Sequence, residues 1–289
     1  MKKVLLLGAA GQLGTDIVRF TSSDNIEIIG SVRKDFDAEI DEVDIALAAY
    51  KDCDYLINCI AYHKVDQCED NSQKAYSINA DFVRKLSVFT AQNNITLIHI
   101  STDYVFAGLT NKPHKEVDDT SPLNIYGDSK LIGEKLIKAY ARKYFIFRVS
   151  SLFGSKETDD PNSNFVEKMI HAAKNRTKLK VIDNQIISPT HTKDVALAFQ
   201  KFIESGYNDY GTYHCCNSGT CSWYQFVKKI FDLSRLTTDL TPVSYDSFHT
   251  HAKRPQYCAM DNSKLSKIYK MKNWEKALEE YLELKGYKT

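Results

Sequence analysis

The stretch Lys3-Val4-Leu5-Leu6-Leu7-Gly8-Ala9-Ala10-Gly11-Gln12-Leu13-Gly14 decides the fold of this chain. A short apolar run that ends at a glycine predicts a buried strand, and the glycines then recur every third residue, where the strand must turn into a helix. Gly8 permits the tight turn, Gly11 lets the backbone approach a diphosphate, and Gly14 allows close packing of helix on sheet. The N-terminus of such a helix holds an anion. We therefore expect a dinucleotide site, with contacts from Gly8, Ala10, Gly11, Gln12, Leu13 and Gly14.

Further apolar runs follow, separated by segments with helical periodicity. Strands that show no polar alternation are buried on both faces, which is typical of a parallel sheet covered by helices. The pattern predicts an α/β fold with a doubly wound, Rossmann-like parallel sheet and a smaller, interleaved mixed α/β substrate domain. The predicted strands are Lys3–Gly8, Glu27–Val32, Tyr55–Ile60, Thr96–Ser101 and Tyr144–Val149.

The alternation of apolar runs with helical segments becomes less regular after about Ser150. We predict a dinucleotide-binding domain over residues 1–150 and a mainly substrate-binding domain over 151–289, with segments near 191–216 returning to the first domain. The stretch from Leu236 to Arg254 has little periodicity, which favours loops over a pocket. Helices are expected at Asn164–Lys174, Lys193–Ser205 and Ser222–Leu233, and a short apolar stretch at Gly211–Cys216.

The composition excludes several classes of function. Of the 289 residues 43% are hydrophobic, and 38 Lys and Arg nearly balance 37 Asp and Glu. This balance argues against nucleic-acid polymers and anionic membranes as partners. No apolar run approaches the ~20 residues of a bilayer span, so we expect a cytoplasmic protein. The 7 cysteines lack C-x-x-C spacing, so we expect free packing thiols and no metal site.

The end of the second strand indicates which dinucleotide is bound. A site selective for NAD usually has a carboxylate here, which pairs with the ribose hydroxyls. This chain instead has a hydroxyl at Ser31 and cations at Arg33 and Lys34. An arginine binds a phosphate with two donors at once, so the sequence predicts NADPH, with NADH as the alternative. In the other interpretation, Arg33 and Lys34 belong to a solvated turn, because two carboxylates follow them closely.

Two residues four apart carry the expected chemistry. Tyr126 and Lys130 lie one turn apart on a helix predicted over Asn124–Arg142, so they share one face. A nearby ammonium stabilises a phenolate and lowers its pKa, which would let Tyr126 protonate a carbonyl oxygen as a hydride arrives. Lys130 would also bind the nicotinamide ribose. Thr102, at the carboxyl end of the fourth strand, would orient the substrate carbonyl. Taken alone, with 17 tyrosines in the chain, Tyr-x-x-x-Lys describes a surface helix turn.

These motifs give the chain a family resemblance that runs nearly from end to end. It resembles the extended short-chain dehydrogenase/reductases, and within them the dTDP-4-dehydrorhamnose reductase family. The resemblance implies an NAD(P)H-dependent reduction of a 4-keto group on a nucleotide-linked 6-deoxy sugar. The segments that carry it are Gly8 to Gly14, Ser101 to Phe106, Pro122 to Lys130, Asn164 to Val166, Ser188 to Thr190, Ser222-Trp223 and Lys253 to Pro255.

The resemblance also implies further site residues. Asp37 would lie near the adenine, Ala61 and Tyr62 would line the cofactor cleft, and Val149 and Ser150 would lie beside the nicotinamide. An arginine at position 254 suits a sugar-nucleotide diphosphate, although a surface ion pair is the alternative for it. Substrate contacts are expected from His63, Thr102, Val105, Phe106, Asn164 and Arg254.

Three departures from the family pattern concern the sugar pocket. His63 replaces a usual threonine, Ser151 replaces a usual tryptophan, and Asn184-Gln185-Ile186-Ile187 replaces Asp-Gln-x-Gly. We expect a reshaped pocket in which His63 is a hydrogen-bonding group and not a catalytic one. Some relatives bind Mg²⁺ through carboxylates at a dimer interface, but no carboxylate set here indicates that site. A homodimer is compatible with the sequence.

Three functions stay open at this point. The first is reduction of dTDP-4-dehydro-6-deoxy-L-mannose to dTDP-L-rhamnose, a precursor of surface polysaccharide. The second is reduction of another nucleotide-linked 4-keto-6-deoxy sugar. The third is a non-catalytic, nucleotide-binding regulatory subunit, because a fold and even its site residues do not fix a function.

Overall fold

The computed structural model describes residues 1–21, 23–155 and 163–287 of the chain. Its strands run as β1 (Lys2–Leu7), β2 (Ile26–Ser31), β3 (Tyr55–Asn58), β4 (Thr96–Thr102), β5 (Tyr144–Val149), β6 (Leu152–Phe153), β7 (Lys178–Ile182), β8 (Ile186–Ile187), β9 (Thr190–His191), β10 (Gly211–His214), β11 (Cys221–Ser222) and β12 (Asp239–Val243).

Helices pack on the main sheet and also recur through the second half of the chain. They are α1 (Gln12–Thr21), α2 (Val43–Ala46), α3 (Val65–Asp70), α4 (Ser72–Tyr76), α5 (Phe82–Gln92), α6 (Ile125–Tyr140), α7 (Phe165–Asn175), α8 (Thr192–Ser205), α9 (Trp223–Leu233) and α10 (Trp274–Leu284). A π-helical turn at Ser77–Asp81 joins α4 to α5.

The main sheet has six parallel strands in the order β10-β5-β4-β3-β1-β2. The strand order reverses at β1, because the chain runs outward from β1 to β2 and then returns to place β3 on the other side. Ligands of open α/β sheets bind at the carboxyl ends of the strands that flank such a reversal. The predicted doubly wound parallel fold is confirmed, and its topology points to the ends of β1 and β3 as the cofactor site.

The predicted short stretch at Gly211–Cys216 contributes an edge strand of this sheet, β10, which pairs with β5. Helix α8 precedes β10 and buries Phe199 and Phe202 against the same core as β1 and β5. A second hydrophobic core joins β6, β7, α7, α9 and α10. The boundary at residue 150 stays a prediction. We propose that this second core is the body of the substrate-binding region.

The stretch from Leu236 to Arg254 corrects one expectation, because part of it is a strand. Residues Asp239–Val243 form β12 and pair in parallel with β7 over five residues. The strand is short and largely exposed, so its sequence lacks the apolar run that marks a buried strand. Helix α10 was also not predicted, although its buried face packs in the second core.

All 7 cysteines are free in the structure, as expected, and all except Cys59 are buried. In the described ranges, no helix is long and apolar enough to cross a membrane. In the same ranges, no group of three or more His, Cys, Asp or Glu side chains is arranged to hold a metal ion.

A glycine on α6 provides a test of how tightly the helices pack. A Cβ atom at Gly133 would lie 2.3 Å from the carbonyl oxygen of Asn79. Because this neighbour is backbone, Gly133→Ala should lower the free energy of unfolding by roughly 1–3 kcal/mol. Urea denaturation measures the loss, and Lys138→Ala on the exposed side of α6 should change it by less than about 0.5 kcal/mol. Equal stability of Gly133→Ala and the wild type would contradict the packing described here.

Candidate active site

The glycine turn after β1 has the geometry that its sequence predicts. Gly8 has φ +83°, and its N–H and that of Ala9 donate to the carbonyl oxygen of Ser31 at 3.0 Å. A Cβ atom at Gly14 would lie 2.2 Å from the carbonyl oxygen of Gly8, so only glycine fits there. Gly11 and Ala10 are exposed at the start of α1. The turn therefore leaves open backbone where an anion would approach the helix.

Two other residues of this loop face the protein. The side chain of Leu13 is buried in the first core, so only its backbone is left for a cofactor. The side-chain oxygen of Gln12, in the amide orientation that satisfies its neighbours, accepts from the N–H of Gly154 at 2.8 Å. Gln12 therefore ties the glycine turn to the segment that follows β6.

A cavity of about 440 Å³ opens at the reversal of strand order. It extends from the end of β1 to the segments that follow β2 and β3. Topology and cavity thus agree on the place of the cofactor. Its lining includes the predicted contacts Gly8, Arg33, Asp37, Ala61, Tyr62 and His63, together with Phe36, Ala38, Glu39, Ile60, Lys64, Gln67, Lys74 and Ile78.

The charges at the end of β2 are partly paired. Arg33 donates to Asp37 and to Glu39, both at 2.9 Å, while its side chain is 73% exposed. It lies at the cavity, whereas Lys34 is exposed and is not part of the lining. Ser31 is 6% exposed at the strand end. The structure therefore brings Arg33 to the cofactor cavity and leaves Lys34 outside it.

The N-terminus of α6 is fixed from three directions. Asn124 caps the helix by accepting from the N–H of Gly127 at 2.8 Å, and Glu69 accepts from the N–H of Ile125 at 2.9 Å. A Cβ atom at Gly127 would lie 2.2 Å from the carbonyl oxygen of Tyr104. These contacts satisfy free N–H groups of the first turn and press it onto the end of β4. Tyr126 is thereby held beside the turn that contains Thr102.

The protonation of Tyr126 differs from the prediction. Burial raises the pKa of its phenol, and a hydrogen bond with Thr102 opposes the rise. The pKa of Tyr126 is thus raised and not lowered, so the predicted effect of the Lys130 ammonium on it is wrong. The physical reason is desolvation, which disfavours the phenolate in a site covered by Tyr104, whose ring packs edge-on at 5.8 Å.

Lys130 is 1% exposed. Its Nζ lies 3.0 Å from Nε2 of His99 and donates to the carbonyl oxygen of Ile100 at 2.5 Å. Burial lowers the pKa of Lys130 to about 8, although the Glu134 carboxylate raises it. The amine thus changes its charge near neutral pH. The His99 contact was not predicted, because this histidine lies inside an otherwise apolar strand.

A buried carboxylate orients the Thr102 hydroxyl. Thr102 donates to Oδ1 of Asp103 at 3.0 Å and accepts from the N–H of Tyr104 at 3.2 Å. Ser150, predicted beside the nicotinamide, donates to Oδ2 of Asp103 at 2.7 Å. Burial raises the pKa of Asp103 to about 6, while these hydrogen bonds lower it. Asp103 was missed from the sequence, although it directly follows Thr102.

An ion pair behind the site was also missed. Arg148 on β5 binds Glu134 on α6 with two donors, at 2.9 and 2.7 Å, and Ser101 donates to the same carboxylate at 2.6 Å. Arg148 is 2% exposed and Glu134 0%. An arginine within the otherwise apolar run of β5 is the signal that could have indicated it. The pair joins α6 to both strands that flank the site.

The π-helical turn places a further missed residue, Asn79. Its amide accepts from the N–H of Tyr62 at 2.9 Å and donates to the carbonyl oxygen of Tyr62 at 3.0 Å. It also donates to the Ser129 hydroxyl at 3.0 Å. Asn79 therefore connects the cofactor cavity to α6. π-Turns are frequent at functional sites, but they leave no simple pattern in a sequence.

Several predicted substrate contacts are not presented to a cleft. Val105 and Phe106 are 0% exposed, so their side chains cannot meet a ligand and only their backbone is available. Phe106 packs instead against His114, with the rings stacked at 4.1 Å. Asn164 caps α7 and donates to the carbonyl oxygen of Gly154. His63 lies on the cofactor cavity. A substrate contact of His63 or Asn164 stays a prediction.

Arg254 forms an ion pair within the chain. Its two terminal nitrogens donate to the two oxygens of Asp66 at 2.6 and 3.2 Å, across to α3. Ala252 also donates its N–H to Asp66, at 3.0 Å. The segment that carries Arg254 is further bound to the active-site helix, because Asn124 donates to the carbonyl oxygen of Lys253 at 2.7 Å. The segment that carries the guanidinium thus contacts the N-terminus of α6, and a carboxylate is the present anion of Arg254.

The other departures from the family pattern have structural roles. Ser151 has φ +45°, in the left-handed region that favours glycine. Ile187 is buried in the second core, and Asn184 accepts from the N–H of Tyr245 at 2.7 Å. Asn184 thus binds the loop that begins at Tyr245, and the expected change of the sugar pocket stays a prediction.

Asp103 should make stability depend on pH. Since its pKa is raised in the folded chain, it contributes stability that is complete below about pH 4 and lost as pH rises through about 6. Asp103→Asn should remove this dependence. Relative to the variant, the wild type should lose roughly 2 kcal/mol of unfolding free energy between pH 4 and pH 7, measured by urea denaturation. The same pH dependence in both proteins would contradict a raised pKa.

Comparison with known proteins shows the family of the chain. A family model described as "RmlD substrate binding domain" matches residues 1–286. The spore coat polysaccharide biosynthesis protein SpsK of Bacillus subtilis is 35% identical and covers 98% of each chain. The dTDP-4-dehydrorhamnose reductase of Aggregatibacter actinomycetemcomitans is 31% identical over 96% of this chain and 97% of that protein.

A solved structure extends the likeness to three dimensions. The dTDP-4-dehydrorhamnose reductase of Bacillus anthracis, in complex with NADP, is 35% identical with a TM-score of 0.91, covering 98% of this chain and 100% of that one. The predicted resemblance to this type of sugar-nucleotide reductase is confirmed. The chain belongs to the RmlD substrate binding domain family, whose members similar to it include dTDP-4-dehydrorhamnose reductases.

Proposed function

We propose that this chain is an NADPH-dependent reductase that converts dTDP-4-dehydro-6-deoxy-L-mannose to dTDP-L-rhamnose for surface polysaccharide. The observation that carries the proposal is the position of Tyr126. The first turn of its helix packs on the backbone of Tyr104, beside Thr102 at the carboxyl end of the sheet, and the cofactor cavity opens at the same edge. The named relatives support the substrate class.

The residues present fit a dinucleotide. The open backbone at Ala10 and Gly11 would hold the diphosphate at the N-terminus of α1. Asp37 and Tyr62 would border the cavity, and Arg33 would bind the 2′-phosphate in exchange for one of its carboxylate partners. When bound, NADPH supplies the hydride that reduces the sugar carbonyl.

The chain supplies the proton. The raised pKa of Tyr126 keeps its phenol protonated, which is the form needed to donate to the carbonyl oxygen. Thr102 would turn its one hydroxyl proton from Asp103 to that oxygen and then stabilise the phenolate. Lys130 as an ammonium would lower the cost of the phenolate and bind the nicotinamide ribose.

On the substrate side, Arg254 would bind the diphosphate. Its bidentate contact with Asp66 shows a geometry that two phosphate oxygens would also satisfy. The altered residues at positions 63 and 151 leave another nucleotide-linked 4-keto-6-deoxy sugar as the second candidate. We propose that the enzyme works in the cytoplasm, and a homodimer stays a prediction.

Replacing Tyr126 by phenylalanine tests the proton donor. Tyr126→Phe should lower kcat by a factor on the order of 10² to 10⁴, because the carbonyl loses its acid. The assay follows NADPH absorbance with dTDP-, UDP-, GDP- and CDP-linked 4-keto sugars. Tyr213→Phe, at a buried tyrosine on the edge strand β10, is the matched control and should keep wild-type turnover.

Three outcomes of that assay would change the proposal. Unchanged turnover in Tyr126→Phe would remove Tyr126 from the mechanism. Turnover of a different sugar nucleotide in place of the dTDP compound would favour the second candidate. NADPH binding without turnover of any sugar, with co-purification of a partner enzyme, would favour the regulatory subunit.

The role of Arg33 is tested by binding. Arg33→Ala should weaken NADPH by about 1–3 kcal/mol more than NADH, because only NADPH carries the phosphate that the guanidinium would bind. Fluorescence titration of both cofactors gives the difference, with Lys51→Ala at an exposed site as the control. Equal losses for the two cofactors would mean that Arg33 does not distinguish them.

A further inference from the structure

Three buried polar side chains connect the end of β3 to the active-site helix. Nδ2 of Asn58 lies 3.1 Å from Nδ1 of His99, and Nζ of Lys130 lies 3.0 Å from Nε2 of the same ring. Asn58 and His99 are 0% exposed and Lys130 is 1% exposed. A neutral imidazole has one N–H donor and one acceptor nitrogen. The two neighbours of His99 therefore determine which nitrogen carries the proton.

The orientation of the Asn58 amide follows from the backbone. The N–H of Ile60 donates to Oδ1 of Asn58 at 3.0 Å, so the amide oxygen is fixed on that side. The amide nitrogen then faces His99, and an amide nitrogen can only donate. Nδ1 of His99 must accept, which places the ring proton on Nε2.

This tautomer has a consequence for Lys130. The Nε2–H of His99 points at Nζ of Lys130, and only a neutral amine has the lone pair to accept it. The amine can at the same time donate to the carbonyl oxygen of Ile100, at 2.5 Å, and keep one N–H for another partner. An ammonium at this position would direct an N–H donor at the Nε2–H donor of His99, and two donors cannot form a hydrogen bond with each other.

Groups from several parts of the chain influence the charge of the Lys130 amine. On its own helix, Glu134 favours the ammonium, but this carboxylate is already bound by Arg148 and Ser101. Directly after β3, the thiol of Cys59 interacts electrostatically with Lys130, and burial raises its pKa, so it adds no charge. From β4, His99 adds no charge, because burial lowers the pKa of its ring. Burial of Lys130 itself favours the amine.

We propose that His99, held as its Nε2–H tautomer by Asn58, is a positioning residue that favours the neutral amine of Lys130 over the ammonium and so sets the pH at which Lys130 becomes a cation. The inference rests on the proposed function, which gives Lys130 a role as a cation. To accept from an ammonium, His99 must move its proton to Nδ1, and the Asn58 amide must turn over. When the amide turns over, its oxygen no longer accepts from the N–H of Ile60. Because Ile60 lines the cofactor cavity, the charge of Lys130 is coupled to the cavity wall at Ile60.

Nitrogen NMR of the full chain tests the tautomer without any assay of activity. With ¹⁵N-labelled histidine at pH 9, above the pKa of Lys130, the His99 signals should report a protonated Nε2 and a bare Nδ1, assigned by their loss in His99→Gln. In Asn58→Asp, a carboxylate would accept from Nδ1–H, so the pattern should reverse. A protonated Nδ1 in the wild type would overturn the proposal.

The pH dependence of kcat/KM gives a second, independent readout. Asn58→Ala frees His99 to accept from an ammonium, so the basic limb should move up by about one pH unit. His191→Gln, at another buried histidine on β9, is the matched control and should leave the limb in place. An unmoved limb in folded Asn58→Ala would overturn the proposal. Absence of turnover in the wild type would instead contradict the proposed function, and the NMR result would still decide the role of His99.

Discussion

The packing of α6 on the carboxyl end of β4 is the constraint on which the rest of the site depends. Glycines at 127 and 133 let the helix approach backbone so closely that any side chain would collide. The buried pair of Arg148 and Glu134 then fixes its rotation against the sheet. Because of this contact, Tyr126 is held beside the turn that contains Thr102, and Nζ of Lys130 lies 3.0 Å from Nε2 of His99.

Such packing has a cost, since it buries groups that prefer water. Asp103, Lys130 and Tyr126 each have a pKa shifted toward the neutral form by burial, which is the common direction for desolvated groups. For an acid catalyst this is useful, because the phenol stays protonated until a carbonyl oxygen is present. For Lys130 the same desolvation brings its titration close to the pH at which enzymes work.

The sequence was informative wherever one short segment decides its own structure. The strands of the main sheet, the glycine turn and the helix with Tyr126 and Lys130 all follow from local pattern, and the structure has them within a few residues. The contacts made between distant segments were not predictable in this way. His99 reads as one more residue of a buried strand, and Asp66 and Arg254 are far apart in the chain. Val105 and Phe106 follow Thr102 directly, yet their side chains turn into the core because β4 ends there in a tight helical turn.

A structure with NADPH and a dTDP-linked 6-deoxy sugar bound would show directly whether Tyr126 is placed to donate its proton to the sugar carbonyl. We expect the Tyr126 hydroxyl to lie about 3 Å from the oxygen on sugar C4, on the side of the nicotinamide ring, with Lys130 hydrogen-bonded to the ribose. A Tyr126 hydroxyl directed away from the nicotinamide and into solvent, with both ligands in place, would contradict it.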